Sequence, residues 1–253
     1  MHVAVIGGTG LVGARVVRKL RDHGAEVRVL SRRTGIDAYT GLGLDEPVAG
    51  AHVVVDVLNT NRPAYDYEQA LDYFETCTTN VVRAEEAAGV QHHVGLSVIG
   101  AERLDSNYFR GKVAQERLVE ASPVPHSTLR TTVFYENVLK LFDHVATTHL
   151  VRLPPVRLRP VTAEDVAAEL CRLALGTPLD GPFELAGPEE WFLDELARVV
   201  LRAARDPRRV VADERAFFLG ARVTDEDASL LPAWQVTSTS FDDWQATATT
   251  RTA

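Results

Sequence analysis

The chain reads as an α/β protein with a doubly wound parallel sheet and a small C-terminal cap. Two observations predict this. Short β-branched apolar runs alternate with longer amphipathic stretches through the first 130 residues, the pattern of βαβ units. The first apolar run also ends in a glycine-rich turn that opens directly into a helical pattern. Strands are expected at 2–7, 26–31, 52–56, 93–98 and 126–131, and helices at 11–23, 65–88 and 108–121. Right-handed crossovers between parallel strands wind such a sheet with helices on both faces and a ligand crevice at the carboxyl ends of the strands. After residue 132 the pattern loosens: a helix is expected at 135–149, a strand at 156–161, a helix at 163–176, a strand at 183–186 and a helix at 191–204. The last 45 residues, with Trp234 and Trp244, are less regular, and the Thr-rich last seven are expected to fray. The whole of 1–253 is taken as one domain, with a core of 1–132 and cap elements at 133–253.

The glycine turn is Gly7-Gly8-Thr9-Gly10-Leu11-Val12-Gly13, straight after Val3-Ala4-Val5-Ile6. Strand, tight turn and helix in that order form a phosphate cradle. Gly7 lets the chain turn, Gly10 lets the backbone approach a pyrophosphate, and Gly13 lets helix and strand pack closely. Thr9 and Leu11 lie in the same turn, and the helix start adds free N–H groups and a positive dipole end. A plain βα connection that binds nothing would use the same residues.

The second strand ends at Ser31-Arg32-Arg33. An acidic residue here would bind a ribose 2′-hydroxyl, whereas arginines accommodate a 2′-phosphate, so the expected cofactor is NADP(H) rather than NAD. The alternative is a solvated pair of loop arginines. The third strand ends Asp56-Val57-Leu58. Asp56 is expected near the adenine, with the loop from Leu58 to Arg62 passing over the cofactor.

Tyr108 and Lys112 stand four residues apart at a predicted helix start, hence on one helical face. An ammonium beside a phenol lowers the phenol's pKa, and a phenol so tuned can pass the proton that accompanies hydride transfer at a carbonyl. The same lysine can bond a ribose hydroxyl. Lysines are scarce (Lys19, Lys112 and Lys140), so a chance pairing at this spacing is uncommon. The pair follows the strand Val94-Gly95-Leu96-Ser97-Val98. Ser97 either orients a substrate carbonyl or satisfies the backbone at the strand end.

With these segments the chain resembles atypical short-chain dehydrogenases/reductases of the NmrA-like, NAD(P)H-binding branch. Pro160-Val161-Thr162-Ala163-Glu164-Asp165-Val166-Ala167 and Phe183-Glu184-Leu185-Ala186-Gly187-Pro188 add to the likeness, which spans about residues 1–190. The resemblance implies a Rossmann fold, NADP(H), and a Ser-Tyr-Lys set carried by Ser97, Tyr108 and Lys112. The family also holds members that sense nucleotide without catalysing. Two departures stand out. The gap from Ser97 to Tyr108 is short, and Leu129-Arg130-Thr131-Thr132-Val133-Phe134 has threonines where Arg-Pro-Gly is common, which alters the nicotinamide-side wall.

Phe134, Tyr135 and Asn137, just after the fifth strand, are expected to bind substrate, and their aromatics suggest a flat or aromatic molecule. Phe134 and Tyr135 could instead be helix-packing core residues, the more common fate of aromatics. His92 and His93, at the far end of the fourth strand, read as structural. Glu102 and Asp105 read as solvated charges. Phe217-Phe218-Leu219 and Trp234 read as either lid or core. Composition is that of a globular protein, with 45% hydrophobic and 25% charged residues. The net charge of −8 leaves no basic excess to neutralise phosphates, so nucleic acid is not an expected partner. Cys77 and Cys171 are isolated, so neither a metal nor a disulfide is expected. No signal peptide or spanning apolar stretch is read, which excludes a membrane partner and points to the cytoplasm. The function expected is NADPH-dependent reduction of a carbonyl or related unsaturated centre of a small molecule. A nucleotide-sensing regulator and an epimerase or dehydratase are the alternatives. A homodimer on surface helices is the oligomer that the fold suggests by analogy.

Overall fold

The structure, a computed structural model, describes residues 1–60, 69–138, 141, 146–223, 229–231 and 235–250. Its centre is a seven-stranded, all-parallel sheet. The strands are β1 (His2–Ile6), β2 (Glu26–Leu30), β3 (Val53–Asp56), β4 (His92–Val98), β5 (His126–Thr131), β8 (Gly181–Ala186) and β14 (Gln235–Val236). They run in the order β14-β8-β5-β4-β3-β1-β2. The five strands expected in the first 131 residues are all present. The chain reverses its direction of travel across the sheet between β1 and β3, and such a switch point opens a crevice at the strands' carboxyl ends.

Helices cover both faces. α1 (Gly13–Asp22) and α5 (Ala163–Leu175) lie on one face, where Val16, Val17 and Leu20 meet Val166, Leu170 and Leu173 over Val3, Val5 and Val55. α2 (Asp45–Val48), α3 (Ala70–Ala88) and α4 (Asn107–Glu120) lie on the other, with Val48, Cys77 and Val81 packed on Ala4, Ile6 and Val54. The alternation of β-strand side chains assigns these faces: Val54 and Val55, adjacent in sequence, enter different cores.

A third core joins the cap to the sheet's carboxyl edge. It gathers Tyr135, Val151, Leu153, Leu158, Leu193, Leu196, Val200, Phe218 and Phe241. Its elements are β6 (Leu150–Leu153), β7 (Arg157–Leu158), β9 (Trp191–Phe192), α6 (Leu193–Ala203), β10 (Arg209–Ala212), the short pair β11 (Phe217–Phe218) and β12 (Ala221–Arg222), β13 (Ser229–Leu230) and α7 (Phe241–Thr250). Phe218 is core and Phe217 is exposed; Trp234 lies outside the described residues. Segments after residue 132 thus build the cap and also supply β8, β14 and α5 to the main sheet and its cover.

Three expectations change. The helix expected over 135–149 does not fill that range: among the described residues Val138 and Leu141 are helical, and residues 139–140 and 142–145 lie outside the described set. Tyr135–Asn137 is a single 3-10 turn, and Ala146 already bridges Val151. The Tyr135 amide is spent on Val161 O, which fixes the chain to the next segment. The strand expected at 156–161 shrinks to Arg157–Leu158, because Pro154, Pro155 and Pro160 lack the amide a ladder needs. The helix expected from 191 starts at Leu193, since Trp191–Phe192 pairs antiparallel with β7. The helix expected from 65 is described from Ala70; residues 61–68 lie outside the described set, Arg62 among them.

His92 and His93 begin β4 and are buried, as their structural reading requires. His93 Nδ1 lies 2.8 Å from Glu85 Oε1 on α3, and His92 Nε2 lies 2.9 Å from Ser127 Oγ. Among the described residues no helix is long and apolar enough to cross a membrane, and no three His, Cys, Asp or Glu side chains form a metal-sized group.

Candidate active site

The site is built at the carboxyl ends of β1, β3 and β4. Gly7 turns the chain with φ +78°, and a Cβ there would lie 3.0 Å from Val57 O. Gly7 N donates to Leu30 O at 2.9 Å, tying the turn to the end of β2. At Gly13 a Cβ would lie 2.2 Å from Gly7 O, so α1 reaches the turn only with glycine there. Gly10 differs. Its Cβ would meet only Gly7 O, at 3.2 Å, and Thr9 and Gly10 are exposed. The glycine at position 10 therefore keeps an outer surface bare rather than solving an internal clash. α1 has neither a capping side chain nor an acidic residue in its first turn, so its positive end faces outward uncompensated. Such a cradle fits a pyrophosphate.

Beside it, Ser31 opens a 3-10 turn, Arg32–Thr34, and its amide donates to Thr34 Oγ1 at 2.9 Å. Arg32 and Arg33 project from this turn into solvent. Among the described residues neither makes an ion pair. Two exposed guanidinium groups next to the cradle suit a further phosphate.

Asp56 ends β3 and is enclosed. It is 0% exposed, and its carboxylate accepts from Leu58 N at 2.9 Å and Gln115 Nε2 at 3.0 Å. Both of its carboxylate oxygens are thus engaged within the protein. Val57 is buried beneath the glycine turn, and Leu58 is half-buried at its rim.

α4 carries the chemical pair. Ser106 caps it, accepting from Phe109 N, and Gly111 lets it close on α3, since a Cβ there would lie 2.7 Å from Phe74 Cδ2. Phe74 thereby becomes a platform for both functional residues. Its ring is 4.3 Å from Lys112 Nζ and meets Tyr108 edge-on at 5.8 Å. Lys112 is 3% exposed. Its ammonium donates to Leu96 O at 3.1 Å, Gln115 Oε1 at 3.0 Å and Leu58 O at 3.4 Å. It thus bridges the ends of β3 and β4. Burial pulls its pKa down to about 8, with Asp56 and then Glu116 opposing.

Tyr108 departs from expectation in its electrostatics. Burial raises its pKa to about 12, and the group pulling it back is Asn59 through a hydrogen bond, not Lys112. The lysine's protons are directed at carbonyls and Gln115, away from the phenol. Ser97 is 3% exposed, and among the described residues its Oγ has no hydrogen-bond partner, so it does not satisfy the backbone there. It shares a strand face with His93, which contacts α3; that is the face covered by α3 and α4.

The substrate-side trio separates. Phe134 and Asn137 are half-buried, with Phe134 bridged to Val161. Tyr135 is 1% exposed. It stacks on Trp244 at 5.5 Å, meets Phe241 at 5.5 Å and donates to Glu189 Oε2 at 3.3 Å. These contacts make it a core residue latching α7. Behind β5, Arg130 forms a bidentate pair with Glu116 on α4, bracing the helix. Phe74, Asn59 and Gln115 were missed in the sequence. Only Gln115 left a signal there, three residues after Lys112 and so on the same helical face. A groove of about 820 Å³ between the outer faces of α3 and α4 includes Leu71, Val113 and Leu118; it does not contain the pair.

The family model of the NmrA-like family matches residues 1–176. The chain belongs to the NmrA-like family. It is 31% identical over 207 residues to a (4-alkanoyl-5-oxo-2,5-dihydrofuran-3-yl)methyl phosphate reductase of Streptomyces griseus, covering 74% of this chain and 68% of the relative. It is 26% identical over 234 residues to the photosystem II assembly factor Ycf39 of Trieres chinensis, covering 83% and 71%. Among solved structures, a dTDP-4-dehydrorhamnose reductase from Bacillus anthracis in complex with NADP superposes with a TM-score of 0.72 at 15% identity, covering 92% of this chain and 90% of that one. At that identity the likeness concerns the fold.

Proposed function

We propose that this NmrA-like protein is an NADPH-dependent oxidoreductase that reduces a carbonyl or related unsaturated centre of a small molecule. The observation that carries the reading is the placement of a buried Lys112 ammonium and a half-buried Tyr108 phenol on one aromatic platform. That platform lies at the strand ends that also form the bare glycine cradle. The Streptomyces relative, named as a reductase, supports it.

NADPH, when bound, would supply the hydride. Gly7, Thr9, Gly10, Leu11 and Gly13 with the start of α1 would hold its pyrophosphate, and Ser31, Arg32 and Arg33 its 2′-phosphate. Lys112 would bond a ribose hydroxyl with the same ammonium that now joins β3 to β4. Tyr108 would donate the proton. Its raised pKa keeps the phenol protonated at neutral pH, the form that reduction needs. Ser97, with an uncommitted hydroxyl, would orient the carbonyl oxygen, and Phe134 and Asn137 would border the substrate.

The test follows NADPH absorbance with a panel of carbonyl and butenolide compounds, phosphorylated members included. Consumption should occur with wild type and fall roughly 10²–10⁴-fold in Tyr108→Phe, with NADPH affinity kept. A second reading, a nucleotide-binding factor without turnover, is favoured by the relative named as an assembly factor. It predicts NADPH binding and no consumption with any member of the panel.

A further inference from the structure

The buried polar groups under the platform form a chain. Asp56 at the end of β3 accepts from Gln115 Nε2 at 3.0 Å. The other end of the same amide, Gln115 Oε1, accepts from Lys112 Nζ at 3.0 Å. All three side chains are buried. A carboxylate and an ammonium sharing an enclosed site would ordinarily close into a direct pair, because low-dielectric surroundings strengthen their attraction. Here a neutral amide stands between them with both ends bonded. The ammonium consequently stays on the carbonyls of Leu58 and Leu96, at the level of the strand ends. Among the described residues the other groups facing Lys112 are few. Glu116 approaches from its own helix but is engaged by Arg130 of β5. α3 offers the Phe74 ring, while Tyr73 and Cys77 on α3 face Asp56.

We propose that Gln115 and Asp56 are positioning residues for Lys112. Gln115 passes the field of the buried carboxylate to the ammonium while holding the two charges apart, so the ammonium remains charged and at the height where a ribose hydroxyl can use it. This rests on the reductase reading only for its purpose; the network itself does not depend on nucleotide. The hydrogen-bond polarity runs one way, from Lys112 to Gln115 to Asp56, and that makes it testable by reversal. In the double variant Asp56→Asn/Gln115→Glu, the amide introduced on β3 could still accept from Leu58 N. It would donate to the carboxylate introduced on α4, which would in turn accept from Lys112.

The experiment is ¹³C NMR titration of lysine Cε in the full chain without nucleotide. The signal of Lys112 is assigned by its loss in Lys112→Met. Gln115→Met and Asp56→Asn should each lower the Lys112 midpoint by about one pH unit or more. The alkaline limb of the kcat/KM profile should move by the same amount. The double variant Asp56→Asn/Gln115→Glu should return the midpoint to the wild-type value or above. A purely structural role would lower activity alike at every pH and leave the midpoint in place. Unmoved midpoints in the folded single variants, or a folded double variant that fails to recover, overturn the proposal. If one single variant does not fold, the other and the double variant decide. Midpoints that move as stated in a protein that binds no NADPH would overturn the reductase reading and leave the network standing.

Discussion

Gly10 and Gly13 occupy one turn for opposite reasons, and substituting alanine at each separates binding from folding. At Gly13 the added methyl would lie 2.2 Å from Gly7 O, 2.7 Å from Gly8 Cα and 2.9 Å from Gly7 C. All three are backbone atoms that cannot rotate aside, so the turn or α1 must shift. Overpacking of this kind costs about 1–3 kcal/mol, and Gly13→Ala belongs at or above the upper end. At Gly10 the methyl meets a single atom at 3.2 Å, a contact relieved by a few tenths of an ångström. Alanine also removes freedom from the unfolded chain, worth about 0.4–1 kcal/mol in favour of folding. Gly10→Ala should therefore leave stability within about 1 kcal/mol of wild type. Its methyl nevertheless occupies the surface on which a pyrophosphate would lie, and at least about 1.4 kcal/mol of binding, a tenfold loss, should follow. Urea unfolding and NADPH fluorescence titration on the two variants measure these quantities. Gly10→Ala that binds NADPH as wild type does would refute the cradle, whatever Gly13→Ala does.

Other expectations concern the buried groups. Lys112 has a native pKa of about 8 against an ordinary 10.5. Above pH 8 the folded protein has released this proton while the unfolded chain keeps it up to 10.5, so stability rises with pH across that window relative to Lys112→Met. At about 1.4 kcal/mol per pH unit the gain reaches about 3.5 kcal/mol. Urea melts of both proteins at about pH 7 and pH 9.5 should show their gap moving toward wild type by about 2 kcal/mol, and a constant gap would deny the depressed pKa. Glu85→Ala strands His93, buried and unpaired, and should cost about 3–5 kcal/mol in unfolding free energy; a loss below about 1 kcal/mol would show that the pair is not a buried ion pair. Tyr135→Ala should destabilise by about 3–5 kcal/mol with KM for any substrate found unchanged, whereas Asn137→Ala should alter KM and leave stability near wild type. The reverse pattern would restore Tyr135 to the pocket.

The parts of the fold legible in the sequence were those with strong local patterns. β1, the glycine turn and α1 follow from an apolar run, four glycines and an amphipathic repeat. The pairing of Tyr108 with Lys112 on one helix follows from their spacing. What local patterns could not carry was contact across the sheet. Asp56 reads as a strand-end acid free to meet a ligand. Only the approach of α4 shows that its oxygens are taken by Gln115 and Leu58 N. Tyr135 looks like a crevice residue by its place after β5. It becomes core because α7, more than a hundred residues later, lays Phe241 and Trp244 against it. The raised pKa of Tyr108 arises in the same way: burial of a side chain depends on what is packed over it, and spacing alone predicts only the neighbour at i+4. From 154 to 161, prolines that lack a ladder amide outweighed the strand-like composition.

The most direct measurement is a fluorescence titration of the wild-type protein with NADPH and NADH, repeated on Arg32→Ala/Arg33→Ala. Tighter binding of NADPH, with that advantage reduced at least about tenfold in the double variant and NADH affinity unchanged, is the expected result. Binding of neither nucleotide, or a preference for NADPH that survives the loss of both arginines, would contradict the assignment of this crevice as an NADPH site.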